Sequence, residues 1–505
     1  MTTYVGITIG PIFDTIDDAT RLSSLWFAST MFSEISKQLC EEIKLDFPNS
    51  TIITPFFTEE KQCPYGKYPD RIVFSDTEID LNDKLDNMIG RVKDNSLKMF
   101  GDVLTEEQKS YLKDYIQINY VILEGDYSHI GSLVAEMNEY LTSIEWMKRF
   151  PKDTEFDFLG KLFHDENHKS KNHEIRISPL FEEYGLEHSN MYYDDRFRTI
   201  DEICSTDKEN KKKYKKYNYF AVAYVDIDHM GSFLSSIDNI DDMNLFSSYC
   251  SKWIDASADL IKDYNGVMIY AGGDDMFFLA PVTYNNEMIL DLCKKINVEF
   301  KEVFEEYNKK IQKPFNGSLS FGISIQYKKY PLSEAIVNSR TLLFDICKDS
   351  SDTRNSIALS LQKHSGGMIK VRINNKNVES LLEIMKEGLS SDIDGINSVM
   401  YTLRRNKKLL CVYDNSIWEE SVIDEDQYFE VWKNFFDSAG HDQYNNYYKK
   451  LEGFYYRNIL KDKEHSFDIY GLEHPEKLDI LLALMKFKSF LSERVNANDN
   501  VSSEN

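Results

Sequence analysis

The chain has 505 residues, 42% of them hydrophobic and 13% aromatic, enough for about three or four domains with cores of their own. A formal net charge of −25 excludes binding of nucleic acid over most of its own surface, because phosphate contacts need Lys and Arg. No apolar run approaches the length of about eighteen residues that a membrane span needs, and the amino-terminal stretch carries Asp14, Asp17 and Asp18, so neither a span nor a secretory signal is expected. The seven cysteines are scattered with no Cys-x-x-Cys pair and read as reduced cytosolic thiols.

Residues 3–10 read as a buried strand stopped by Gly10-Pro11. An amphipathic helix is expected from about 14 to 44, with Leu22, Leu25, Trp26, Phe32 and Ile35 near helical spacing. Strand-like Thr51–Phe57 follows, then an irregular Pro/Gly stretch through Pro69 and charged helices over roughly 78–113. Residues 116–123 read as another strand and about 128–149 as a helix, so 1–150 is expected to form a ferredoxin-like α+β unit with a helical insertion. It contains no Asp-x-Asp at a strand end and no Gly-Gly-Asp-Asp turn. That unit is therefore expected to be catalytically degenerate, supplying an acceptor pocket or a structural wall.

Residues 151–217 are a polar linker or small helical region. His164-Asp165, with His168 and His173 nearby, could be a remnant of a metal-dependent hydrolase, but the composition favours a polar loop. Lys211-Lys212-Lys213-Tyr214-Lys215-Lys216 is the one dense basic run. It could meet RNA or a triphosphate tail, although such runs are commonly solvated loop surface.

From 218 to 365 the pattern sharpens. Tyr219–Val225 is a near-continuous apolar run, as in a central strand, and it ends in Asp226-Ile227-Asp228. Strand alternation puts Asp226 and Asp228 on one face. A helix (about 240–263) leads to two short strands (266–270 and 275–281) joined by Gly272-Gly273-Asp274-Asp275, a turn whose glycines permit positive φ. A solvated acidic turn is the bland reading of that motif. Beside the Asp226 strand, however, three or four carboxylates would share one sheet edge and repel unless cations neutralise them. Hard oxygen ligands so clustered suit Mg²⁺ or Mn²⁺, and a two-ion site suits nucleotidyl transfer. Asp226, Asp274 and Asp275 are thus the candidate catalytic residues, and Asp226, Ile227, Asp228, Asp274 and Asp275 the candidate metal ligands. His229, Met230, Gly231 and Ser232, at the start of the next helix, offer backbone amides to phosphate, as do Gly272 and Gly273. A helix (286–310), strand (317–327), helix (332–348) and strand (355–361) complete a βαββαβ order plus an extra helix–strand unit, expected as an antiparallel sheet with helices on one face and the other open to nucleotide. Lys348 closes the last helix, where a lysine also meets the helix dipole favourably. Residues 366–495 read as helical without a catalytic constellation, and 496–505 as a disordered tail.

Asp-Ile-Asp on a first strand followed by a Gly-Gly-Asp-Asp hairpin resembles the palm domains of diguanylate cyclases and of the large subunit of type III CRISPR effector complexes. Leu319–Ile323, Tyr330–Ala335, Asn355–Leu359 and Lys363-His364-Ser365-Gly366-Gly367 are similar to the later half of the second family's catalytic palm. Ile7–Ile12 before a helix with Arg21, Leu25 and Trp26 is similar to its amino terminus, and Gly66–Phe74 resembles a short motif of Cmr-type (III-B) members. The resemblance implies an α+β fold of two palm domains with helical insertions and a helical carboxy-terminal domain that docks onto neighbouring subunits. It also implies a cytoplasmic, ATP-dependent nucleotidyltransferase making an adenylate second messenger, with guide RNA, target RNA and other Cmr-type subunits as partners, and Lys348 on the triphosphate. Many members carry an amino-terminal HD nuclease domain and zinc-binding cysteine pairs, and neither pattern is expected in this sequence. The acceptor could be a second nucleotide, giving cyclic oligoadenylate, or another molecule such as S-adenosylmethionine. A stand-alone diguanylate cyclase-like enzyme is a rival, weakened by the missing Gly-Gly-Asp/Glu-Glu-Phe ending and by the palm-like unit upstream. A non-catalytic scaffold is a second rival, weakened because unneutralised carboxylates at one sheet edge destabilise a fold.

Overall fold

The computed structural model describes residues 2–17, 19, 21–57, 63–77, 81–147, 192–193, 196–204, 218–386, 393–419, 425–434 and 445–492. Strands β1 (Thr2–Gly10), β2 (Thr51–Thr54), β3 (Arg71–Asp76) and β4 (Gln117–Gly125) form an antiparallel sheet in the order β2-β3-β1-β4. A small hairpin of β5 (Tyr192–Tyr193) and β6 (Arg196–Phe197) follows. A larger sheet then gathers β7 (Tyr219–Ile227), β8 (Val267–Gly272) and β9 (Asp275–Pro281), with β10 (Thr283–Tyr284) and β11 (Glu287–Met288) as a separate hairpin. β12 (Leu319–Tyr327), β13 (Ser356–Gln362), β14 (Met368–Asn374) and β15 (Phe467–Ile469) complete it, in the order β15-β14-β13-β12-β7-β9-β8.

Both sheets repeat one plan. The first strand of each unit is central, flanked on one side by the third and then the second strand, and on the other by the fourth. All nine residues of β7 are buried, which explains its continuous apolar run. Ala221, Ala223 and Val225 face helices Ile240–Asp263 and Ile289–Asn308, with Phe246, Trp253 and Phe300 between them. Phe220 and Val222 face the other way, into a core shared with helix Leu332–Thr341 and with Leu25, Trp26 and Phe27 of helix Leu22–Asp46. The sheet is therefore covered on both faces, where one open face was expected. It is also mixed: β12 and β13 run parallel because a helix carries the chain back between them.

Other expectations need revision. The helix expected over 14–44 is two helices, Ile12–Asp17 and Leu22–Asp46. The charged region is Asn82–Ser96, a 3₁₀ turn over Leu97–Val103, and Glu106–Tyr115. β3 was not anticipated, and neither were β14 and β15, which bring parts of the carboxy-terminal region, read as mainly helical, into the main sheet under helix Lys477–Ser492. The groups His164, Asp165, His168 and His173, the run Lys211–Lys216, and the tail 496–505 lie outside the described residues. Among the described residues no helix is long and apolar enough to cross a membrane.

Candidate active site

The turn between β8 and β9 stands at the end of the sheet where β7 finishes. Gly273 takes φ 69°, a left-handed conformation in which a side chain would be strained. Gly272 pairs with Asp275 across the hairpin, and Asp275 pairs with Asp226 of β7 on its other side. The Ile227 amide donates to the Asp274 carbonyl at 3.2 Å, tying the strand end to the turn. The structure thus brings Asp226, Asp274 and Asp275 together.

Their electrostatics follow from crowding. Burial, then Asp274, pushes Asp226 up to about 7, against the opposing pull of Lys348. Burial also holds Asp275 well above the usual carboxylate range, reinforced by Asp274 and Asp226. Asp274 is raised, mainly by burial. The ammonium of Lys348 bonds the Asp226 carboxylate and lies 3.5 Å from the Ile227 carbonyl. It arrives there because helix Leu332–Thr341 continues as a π-helical turn, Leu342–Cys347, closed by a bond from the Lys348 amide to the Leu343 carbonyl at 3.0 Å. In this structure Lys348 serves as counter-ion to the first candidate ligand, Asp226.

Asp228 departs from the expected role. Its side chain is fully buried and accepts from Ser318 Oγ at 2.6 Å, Ser320 Oγ at 2.9 and 3.0 Å, and the Asn355 amide at 2.9 Å. Three donors on its two oxygens thus tie β7 to the starts of β12 and β13. His229 adopts a left-handed conformation, φ 63°, and only a five-residue helix, Met230–Leu234, follows it. The Ser232 hydroxyl donates back to the His229 carbonyl at 2.9 Å, whereas Gly231 is exposed with open space around it.

Sequence reasoning missed Asp70, which lies within the Gly66–Phe74 motif and was given no role of its own. It stands just before β3, next to Asp274 and Tyr270 in the electrostatic field of the site. Burial pushes it up to about 6, opposed by Arg71 and reinforced by Glu145 and Asp274. The repeated plan of the sheets explains its position. Thr8 of β1 pairs with Arg71 as Asp226 pairs with Asp275, so Asp70 stands where Asp274 stands in the second unit. Arg71 donates to Thr142 Oγ1 at 2.9 Å and pairs with Glu145 at 3.3 Å, and the Thr8 hydroxyl also donates to Glu145. Only the repeat and its register would have signalled this.

Among the described residues no three His, Cys, Asp or Glu side chains already converge on one cation position. The donor chemistry nevertheless fits a divalent cation. Asp226, Asp274 and Asp275 hold protons more tightly than isolated carboxylates, and a lysine cation sits on Asp226 and close to the Ile227 carbonyl.

Residues 219–358 match the family of Cas10/Cmr2 second palm domains. Over 187 residues, 34% of this chain, the sequence is 31% identical to the CRISPR system Cmr subunit Cmr2 of Pyrococcus furiosus, and it spans 18% of that protein's length. The fold is similar to that of a Csm1–Csm4 cassette in complex with cA4, with a TM-score of 0.55 and 13% identity over 97% of this chain and 70% of that one. A Csm1–Csm4 cassette in complex with AMPPNP gives a TM-score of 0.53 and 15% identity over 82% and 63%. At these identities the structural likeness speaks for the fold alone.

Proposed function

We propose that this relative of the large, palm-bearing subunits of type III CRISPR effector complexes is a cytoplasmic nucleotidyltransferase that makes an adenylate second messenger from ATP. The observation that carries the reading is the cross-strand pairing of Asp226 with Asp275, beside Asp274, in a Cas10/Cmr2 palm. Mg²⁺ or Mn²⁺ held by Asp226, Asp274, Asp275 and the Ile227 carbonyl would lower the pKa of an attacking ribose hydroxyl and neutralise triphosphate charge. The residues themselves orient the reaction. Lys348, released from Asp226, is within reach of the triphosphate, and the open backbone at Gly231 lets phosphate approach the end of β7. The hydroxyl gives up its proton to water, its oxygen bonds the α-phosphorus, the bond from that phosphorus to the α,β-bridging oxygen breaks, and pyrophosphate leaves. Cyclic oligoadenylate is the expected product, in keeping with relatives crystallised with cA3 and cA4. Guide RNA, target RNA and other Cmr-type subunits would be its partners.

One observation favours a second acceptor. The first-palm counterpart of the carboxylate site carries Asp70 and Glu145, and Arg71 beside them is engaged by Glu145. An acidic rim disfavours a second triphosphate and suits a cationic acceptor such as S-adenosylmethionine. Mass spectrometry of small products made by the assembled complex with target RNA, ATP and S-adenosylmethionine decides between them. An adenylate product that disappears when Asp274 and Asp275 are changed to Ala supports the reading, and its mass names the acceptor. Unchanged product from that variant would make the chain a scaffold. GTP-only turnover without RNA would make it a diguanylate cyclase-like enzyme.

A further inference from the structure

The free edge of the larger sheet is β8, the strand that leads directly into Gly272-Gly273-Asp274. An edge strand presents unpaired amides and carbonyls, and a glycine-rich turn at its end has little to hold it. A one-residue irregularity in the β8–β9 register falls at Ile269, which loosens the inner ladder further.

A loop of the first palm closes that edge. Gly66 forms a parallel bridge with Tyr270: its amide donates to the Ile269 carbonyl at 3.1 Å, and its carbonyl accepts from the Ala271 amide at 2.8 Å. Ser29 Oγ of helix Leu22–Asp46 donates to the same Ile269 carbonyl at 2.8 Å. Glycine is required at 66, since a Cβ there would lie 2.4 Å from Ser29 Oγ and 2.9 Å from its carbonyl oxygen. The residues on either side reach over the edge to one carboxylate of helix Ile240–Asp263. Lys67 Nζ donates to both oxygens of Asp255, at 2.8 and 2.9 Å, and Tyr65 OH donates at 3.0 Å. Trp26 Nε1 bonds the Pro64 carbonyl at 2.7 Å, and Ser33 Oγ accepts from the Lys67 and Tyr68 amides at 2.8 and 2.9 Å. The loop is thus anchored to its own palm as firmly as to the other.

We propose that residues 64–70 are a positioning clamp that sets the Gly272–Asp275 turn, with Asp255 and Lys67 as positioning residues for nucleotidyl transfer. The proposal rests on the functional reading above for its catalytic consequence, though not for the clamp itself. The Lys67–Asp255 pair is half exposed, so it contributes little to global stability. Its effect is local: it holds Gly66 against β8, and Gly66 holds the strand that leads into Asp274.

The test compares the 505-residue chain with its variants Asp255→Ala, Lys67→Asp, and the charge-swapped double variant K67D/D255K. In D255A, amide exchange over 269–274 is expected to rise about tenfold while the rest of the sheet is unchanged. In the assembled complex, kcat for the nucleotide product falls about ten- to a hundredfold with KM for ATP little changed, as misplacement of a catalytic group predicts. The double variant recovers a large part of both losses, which a residue needed only for folding would not do. Unchanged exchange at Ala271 in D255A overturns the clamp. Wild-type protein that makes no nucleotide product overturns the functional reading, and the exchange comparison still decides the clamp.

Discussion

Asp226, Asp274 and Asp275 set three carboxyls against one ammonium, that of Lys348, so the charge of the group depends on pH. A carboxylate raised from 3.8 to about 7 in the folded protein stabilises it only while protonated. That contribution is full below about pH 4 and is lost as pH rises through about 7. The thermal midpoint of the metal-free protein should therefore fall across that window, and the fall should be smaller in Asp275→Asn, measured by differential scanning fluorimetry. Mg²⁺ should restore more of the midpoint at pH 8 than at pH 6, because ligand oxygens must shed protons to bind it. Changing Lys348 to Ala removes the cation that faces Asp226, and kcat is expected to drop about a hundredfold or more with folding preserved by circular dichroism. That Asp226, Asp274 and Asp275 would meet was legible from type and spacing, whereas Lys348 entered through the resemblance and its contact with Asp226 was not foreseen. The role of Asp228 was not legible, because it depends on Ser318, Ser320 and Asn355, some ninety to 130 positions away, and alternation reports only the face.

At the scale of elements, β7, the hairpin and the helices of the second palm could be read because apolar runs and glycine turns are local signals. β15 escaped because it is only three residues long, and β14 because its Lys and Arg break the apolar run, so that each gains its place by pairing, β14 with β13 and β15 with β14. The π-helical turn was unreadable for the same kind of reason: one extra residue in a helix leaves no mark in its periodicity. That turn packs on β12 at Gly322, where a Cβ would lie 2.1 Å from the Ser339 carbonyl and 2.6 Å from the Leu343 amide. Gly322→Ala should therefore destabilise the protein by about 1–3 kcal/mol in urea unfolding. It should also impair catalysis beyond that loss, because the displaced turn carries Lys348. A wild-type midpoint in G322A would show that the contact yields freely.

Over the whole molecule, charge and topology dominate. With a net charge of −25, the isolated chain should give no stable shift of a guide-length RNA at physiological salt in an electrophoretic assay. A tight salt-sensitive complex would point to a concentrated basic face. The repeated strand order was partly visible as two strand–helix series, but the match of Thr8 and Arg71 to Asp226 and Asp275 needed the observed registers.

The bond from Ser29 to Ile269 closes a separation of 240 residues. Contacts of such span form late, since the intervening chain must first surrender its freedom. A nascent polypeptide therefore completes its acidic turn only after two distant segments have been synthesised and have met. The proposed catalytic turn is thus fixed only once both halves of the chain are made and docked.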